Sequence, residues 1–442
     1  MSGRNLAAII TGVALGFASV VGASPAFGAS TRSASLQTSP IKVPGWSTEQ
    51  VWNGGNDDWE PTIVASRTDG WAYQATTRIG GAKACKTCPG TSIALRRSRD
   101  GGHTWDKKRF LCPCPGSQDQ YDPQLAMSDD GSVFAAWLNG YTPGVTFSVS
   151  HDHGITWSAP VSMPTAKWSD KPVLVVSRDG LNVFIAFNGP SHGDSWVAQS
   201  HDGGAHWTSR KVVGSSRYYF AGAAWISADG TKIVFAEVDD NQKYTGVIHV
   251  DAIVSADSGA TWKQVRLDTV ARQPDCKSAG CYDGFYASVP WVAGDSTGNL
   301  ALFYVGATVP AGRQKLYVRR SHDGGQTWSR QRNVLSAPGS NAVSPAAVGD
   351  AAHTIRLWWM DDRTGRFNVW YRQWNPRSSR WSGAVRISNR RGGASYKNAK
   401  GFLEDYGDYG GITINYRGQT LATWAEAPSY TGPGGTWFNV QR

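Results

Sequence analysis

The chain has 442 residues, a formal net charge of +10, 51 glycines, 21 tryptophans and only 18% charged side chains. The aromatic content excludes an intrinsically disordered chain, and a composition this rich in glycine and poor in charge excludes a coiled coil and argues against a helical protein. A basic balance favours acidic partners, but no Lys/Arg block is long enough to read as a nucleic-acid arm.

Residues 1–29 read as a secretory signal peptide: Arg4 supplies the positive region, Leu6–Val21 the apolar run, and small residues up to Ala29 the cleavage region. The run is too short and too interrupted for a spanning helix, and no later segment is apolar enough for one. Residues 30–43, rich in Ser, Thr and Pro, form a flexible lead. The expected product is a secreted, extracellular monomer without membrane contact after cleavage. In that compartment six cysteines point to disulfides: Cys85 and Cys88, Cys112 and Cys114, and Cys276 with Cys281 closing its own loop. The first four have the crude spacing of a four-thiolate zinc site, a pattern with more weight inside the cell; among them three pairings stay open.

From residue 44 onward the chain repeats itself. Five segments share Ser-x-Asp-x-Gly-x-x-Trp: Ser98–Trp105, Ser150–Trp157, Ser200–Trp207, Ser255–Trp262 and Ser321–Trp328. A period of this size marks a solenoid or a propeller. Asp caps its own turn through backbone N–H groups, Gly takes a conformation other residues resist, and Trp packs between sheets. These Asp residues therefore hold turns. Each box sits between the third and fourth strands of a four-stranded unit, with a short turn between the first two, as at Asp129–Gly131. Units begin near Glu60, Asp122, Asp170, Tyr218, Tyr286 and Ser344. The sixth has a decayed box at Asn375–Trp381. A seventh has strands near Gly411–Asn415, Thr420–Glu426 and Thr436–Gln441, and lacks an outer strand, which Glu49–Trp52 can supply. Closing the ring this way removes open sheet edges. The expected fold is an all-β, seven-bladed β-propeller of four-stranded antiparallel blades over residues 44–442.

The repeat resembles the Asp box, or bacterial neuraminidase (BNR) repeat, of the sialidase superfamily, and the resemblance covers nearly all of the mature length. Known sialidases have six blades, which keeps a six-bladed propeller as the alternative. The resemblance implies glycosidase chemistry with a Tyr nucleophile activated by Glu, an Asp acid/base and three Arg clamping a substrate carboxylate. The chain departs from the family's Arg-Ile-Pro signature, since Arg78-Ile79-Gly80 is not a match.

Short turns and Asp boxes share one face; the long, varied loops share the other, where function is expected. There the inner-strand entries gather Glu60, Asp122 and the segment Glu404, Asp405, Tyr406, Asp408 and Tyr409 as candidate catalytic groups. Trp59, Tyr121, Tyr219 and Tyr286 are candidate sugar contacts, with Arg78, Arg217, Arg363 and His192 as polar binding groups. The expected function is sialidase-like hydrolysis of an acidic extracellular glycan. The alternatives are a polysaccharide lyase on uronic-acid polymers using Tyr and His192, and a carbohydrate- or protein-binding propeller without catalysis. No cofactor is expected; an axial calcium ion is not decided by the sequence.

Overall fold

The structure is a computed structural model. It describes residues 43–442 except 53–56, 143, 165–167, 190–192, 215–216, 242–245, 272–288, 311, 331–332, 366, 376, 389–396, 399–400, 403–408 and 427–434. The signal peptide and nearly all of the lead expected at the N-terminus fall outside the described residues.

Alternating apolar residues broken by Ser-x-Asp-Gly turns give short antiparallel strands, and these form seven blades. The blades' inner strands are Asp57–Ala65, Gln120–Met127, Asp170–Val176, Arg217–Ile226, Trp291–Gly294, Ala342–Gly349 and Gly411–Ile414. Residues from all seven line one channel along the axis. Blade 2 shows the plan: Gln120–Met127, Val133–Asn139, Gly144–Ser150 and Val161–Ser162 pair in that order. Middle strands are buried on both faces, which is why Val183–Asn188 and Leu300–Gly306 read as unbroken apolar runs. The cores lie between blades; Phe134, Phe147, Leu174 and Ile185, for example, join blades 2 and 3. Among the described residues there is no helix.

Blade 7 takes its outer strand from the N-terminus. Gln50–Val51 pairs antiparallel with Gly435–Val440, and Trp46 bridges Gln441. Ser47 Oγ donates to Asn439 Oδ1 at 2.6 Å. The seven-blade count and this closure agree with the sequence-based expectation; the six-bladed alternative is excluded.

The Asp boxes fold as their composition requires. In the fifth, Ser321 Oγ donates to Asp323 Oδ1 at 2.7 Å and accepts Gly325 N–H at 2.9 Å, while Thr327 N–H reaches Asp323 Oδ1 at 3.0 Å. Boxes at Asp100, Asp152, Asp202 and Asp257 repeat this set. The box tryptophan packs on the preceding blade: Trp207 meets Phe147 edge-on at 4.9 Å. In the decayed sixth box Asn375 takes the Asp role, accepting Arg377 N–H at 2.9 Å.

Candidate functional site at the axial mouth

The face opposite the Asp boxes is built by the inner-strand entries. Four of these share one irregularity. Glu60, Asp122, Lys171 and Ser344 each precede a proline and each has a positive φ, between 48° and 53°. Strand pairing shifts register at each of them. A non-glycine residue in this region is uncommon, and a following proline disfavours it further, so each bulge stores backbone strain of the kind found at functional sites.

Three of these residues meet. Lys171 Nζ lies 3.9 Å from Glu60 Oε1 and 3.7 Å from Asp122 Oδ1. Blades 1, 2 and 3 can join in one cluster only at the axis. Glu60 Oε2 also accepts Asp122 N–H at 3.3 Å and Thr77 Oγ–H at 3.2 Å. From the entry to blade 7, Tyr409 Oη donates to the Pro123 carbonyl at 3.1 Å. A small pocket beside them is lined by Asp122, Lys171, Phe220, Gly222 and Tyr409. Gly410 makes the approach of Tyr409 possible: a Cβ there would stand 2.6 Å from both the Trp358 ring and the Thr423 carbonyl.

An aromatic row flanks the cluster. Tyr141 stacks on Trp168 with centroids 6.1 Å apart and planes at 10°, and Trp168 meets Tyr218 at 6.4 Å. Tyr218 Oη donates to Asp170 Oδ2 at 3.2 Å. Burial, with Asp170 and Asp122 nearby, pushes the Tyr141 phenol well above its ordinary range, so it stays a donor at neutral pH. Tyr121 is raised by burial and by Asp119.

The candidate arginines are engaged within the fold. Arg78 forms a buried two-point pair with Asp58, Nε–Oδ1 at 2.7 Å and Nη2–Oδ2 at 2.8 Å. Arg363 holds Asp361 through Nε at 2.8 Å and Nη2 at 2.5 Å and lies 3.9 Å over the Trp370 ring. Arg217 Nε lies 2.9 Å from Asp239 Oδ1, and its Nη2 donates to the Val247 carbonyl at 2.8 Å. Tyr219 is buried at 3% exposure beside blade 3, where its N–H meets the Gly193 carbonyl. That position makes it a packing residue and not the stacking surface expected. Trp59 is half-buried against the core shared with blades 6 and 7, and Tyr121 against that between blades 2 and 3.

The cysteines settle one open pairing. Cys85 bonds Cys88 and Cys112 bonds Cys114, with Cα separations of 5.0 and 5.1 Å. Cys88 Sγ also sits 3.5 Å from the Cys114 carbonyl, so the loop of blade 1 and the entry to blade 2 touch there. Cys276, Cys281, Tyr286, His192, Glu404, Asp405, Tyr406 and Asp408 lie outside the described residues. Among the described residues, no group of three or more His, Cys, Asp or Glu side chains could hold a metal ion, and no helix is long and apolar enough to cross a membrane.

The chain matches the BNR repeat-like domain family over residues 79–220 and the BNR/Asp-box repeat over residues 319–330. These matches fall on strands and boxes with the geometry described above. The chain carries BNR/Asp-box repeats and folds as a seven-bladed Asp-box propeller. Among curated proteins it is 22% identical to a sialidase of Bacteroides fragilis over 288 residues, covering 56% of this chain and 50% of that protein. The chain thus matches about half the length of this relative. Similar solved structures include a protein of unknown function from Dyadobacter fermentans (15% identity, 90% of this chain and 99% of that one, TM-score 0.48). The NanB sialidase of Streptococcus pneumoniae is 12% identical, with 90% and 70% covered and a TM-score of 0.48.

Two groups of functional interest were not singled out from sequence. Lys171 was legible only by aligning Trp-Glu-Pro, Tyr-Asp-Pro and Asp-Lys-Pro as one blade position. The row Tyr141–Trp168–Tyr218 comes from separate loops, and no local pattern joins them.

Proposed function

We propose that the chain is a secreted glycoside hydrolase whose reaction takes place at the axial mouth, on an extracellular glycan. The observation that carries this reading is the meeting of Glu60 and Asp122 at Lys171 Nζ, beside Tyr409. Hydrolysis of a glycosidic bond asks for one group that gives a proton to the leaving oxygen and one that stabilises or attacks the anomeric carbon. We assign the first role to Asp122. Its backbone is fixed by the bulge, and Tyr409 holds the adjoining Pro123 carbonyl. Glu60, which accepts from Thr77 Oγ–H and from the Asp122 N–H beside the Lys171 ammonium, is assigned the second role. The sialidase name of the curated relative is consistent with carbohydrate chemistry. The expectation of an acidic glycan rests on net charge alone. Export rests on the N-terminal signal, and sequencing the N-terminus of the protein from culture supernatant checks it.

The test is mass spectrometry of products from a glycan panel. Products heavier by one water are expected, with Asp122→Asn and Glu60→Gln each lowering kcat about 10²–10⁴-fold while the thermal transition stays cooperative. Intact glycans across the panel, or full turnover in both variants, would overturn the assignment.

A further inference from the structure

We infer that the outer rim of blade 1 is a docking surface for a linear anionic polysaccharide, built from Lys83, Lys86, Lys107, Lys108 and Arg109. This surface lies apart from the axial mouth, and only the choice of a polysaccharide as the polymer rests on the proposed function.

The charge of the chain is unevenly placed. Between Ile79 and Gln118 stand eight Lys or Arg residues against two Asp and no Glu, an excess of six in a chain whose whole net charge is +10. Inside the blade the charges are settled. Arg96 is held by Gln74 and the Trp52 and Trp105 rings, and Arg97 pairs with Asp106. Asp100 caps its own box turn. Lys83, Lys86, Lys107 and Arg109 are left exposed and form no ion pair among the described residues. Elsewhere the chain matches its arginines to carboxylates, as at Arg78, Arg217, Arg266 and Arg363. A group of cations without such partners concentrates anions at its surface.

The two elements that carry these cations are stapled to each other. Lys83 and Lys86 lie on the loop between the second and third strands, closed by Gly80 N–H on the Gly90 carbonyl at 2.9 Å and braced by the Cys85–Cys88 bond. Lys107, Lys108 and Arg109 lead into the outer strand Arg109–Phe110. The residues after it are pinned by Leu111 N–H on the Ile93 carbonyl at 2.9 Å and by the Cys112–Cys114 bond. Loop and strand meet where Cys88 Sγ sits 3.5 Å from the Cys114 carbonyl oxygen. Lys108 Nζ lies 4.7 Å from the centre of the Phe110 ring. Burial and the nearby Arg78 guanidinium lower its ammonium from the ordinary range, which places it beside the base of the same loop. The backbone under the cations is thus set before a ligand arrives, and the ordering cost of binding falls.

Spaced ammonium groups act as separate point charges and fit a chain of spaced anions. No large apolar side chain is exposed between residues 79 and 118. That leaves nothing to enter a membrane surface and no platform on which single-stranded bases would stack. An anionic sugar chain needs neither. Cys114 stands eight positions before Asp122, so the two are separated by no more than about 29 Å. A polymer held on the rim is long enough to lay one of its sugars at the axis.

The experiment measures binding of the purified full chain to polygalacturonate, heparin, uncharged dextran and DNA, at about 20 and 500 mM NaCl, beside turnover of the glycan panel. At least one of the two anionic polysaccharides is expected to bind, dextran is not, and the affinity is expected to fall at least tenfold at the higher salt. Lys83→Gln/Lys86→Gln and Lys107→Gln/Arg109→Gln are each expected to weaken this binding at least fivefold. The control pair Lys263→Gln/Lys315→Gln, exposed on blades 4 and 5, is expected to change it less than twofold. Equal weakening by the control pair would assign the binding to net charge and overturn the inference. Failure of both anionic polysaccharides to bind overturns it too, and DNA bound more tightly than either overturns it in favour of a nucleic-acid partner. Turnover of a glycan without binding of either polyanion sinks the inference alone. Polyanion binding that is lost in the rim variants, with no glycan turned over, overturns the hydrolase reading and leaves the inference standing.

Discussion

Asp122 shows how much one residue position carries. Its carboxylate faces Lys171, its N–H is bonded to Glu60, and its φ of 52° is one that an L-residue before proline resists. Function and backbone comfort therefore pull apart here, and two substitutions separate them. Both Asp122→Ala and Asp122→Gly remove the carboxylate, but only glycine accepts the dihedral freely. Asp122→Gly is expected to be the more stable of the two by about 1 kcal/mol, with both inactive. Urea denaturation checks this. Equal midpoints would mean that the bulge is unstrained. At this scale the sequence was partly legible. Glu60 and Asp122 are visible as acids before proline at matching blade positions. Their left-handed backbone is not, because the local rule for a residue before proline predicts extended chain and the propeller overrides it. The Arg78–Asp58 pair was readable in principle from hairpin register, although the two residues stand twenty apart. Arg217 and Arg363 show the same limit: an arginine near a site reads as a ligand group until its carboxylate partner is placed.

Among the elements, blade 4 buries three acids in its second and third strands, Glu237, Asp239 and Asp251. Glu237 in its second strand is fully buried and accepts a hydrogen bond from Ser195 of blade 3 at 2.8 Å. Its cross-strand neighbour is Asp251, held by Arg266 and Gln264, and Asp239 follows two residues along, paired with Arg217 and His249. Burial, against the Ser195 bond and with help from Asp251, pushes the Glu237 carboxyl up to about 8. The folded chain then binds a proton that the unfolded chain, titrating at about 4.3, has released. This group's contribution to stability is full below that unfolded value and is lost as pH rises toward 8. Glu237→Gln is expected to flatten the fall in stability between pH 5 and pH 8, raising stability at pH 8 by up to a few kcal/mol. Denaturant midpoints at the two pH values measure it; a slope unchanged by the substitution would assign the proton elsewhere. The strands themselves were legible throughout, because turn residues and alternation are local. The choice of Glu inside an interface was not, since the strand Ile233–Asn241 reads as an apolar start with an acidic second half and gives no sign of which neighbour covers position 237.

At the scale of the molecule, closure is the feature on which the propeller depends. Residues 46–51 complete blade 7, with Trp46 only 3% exposed and Ser47 N–H bonded to the Val440 carbonyl at 2.8 Å. A chain beginning at residue 53 leaves Gly435–Val440 as an unpaired edge. It is expected to melt several degrees lower and to form higher-order species in size-exclusion chromatography, while the Asp boxes of blades 2–5 stay intact. A truncated chain that stays monomeric with an unchanged Tm would show that closure is dispensable. The ring was legible from counting units and noticing that the last one lacked a strand. Which groups meet at its centre was not legible, because residues 60, 122, 171 and 409 are brought together by the ring and by no shorter pattern.

The same closure sets a timetable. Ser47 and Val440 are bonded across 393 positions of chain, so closure joins a segment made before any of the other six blades to one made after all of them. Contacts of such sequence separation form late and slowly, after the loop-closure entropy of the intervening chain has been met. Blades 1 to 6 can each collapse as their four strands emerge, but blade 7 has to wait until residue 440 is present. Until then two unpaired edges face outward in the compartment where the chain folds, and this interval, more than any equilibrium property of the finished ring, is when the molecule is most exposed to association with its own copies.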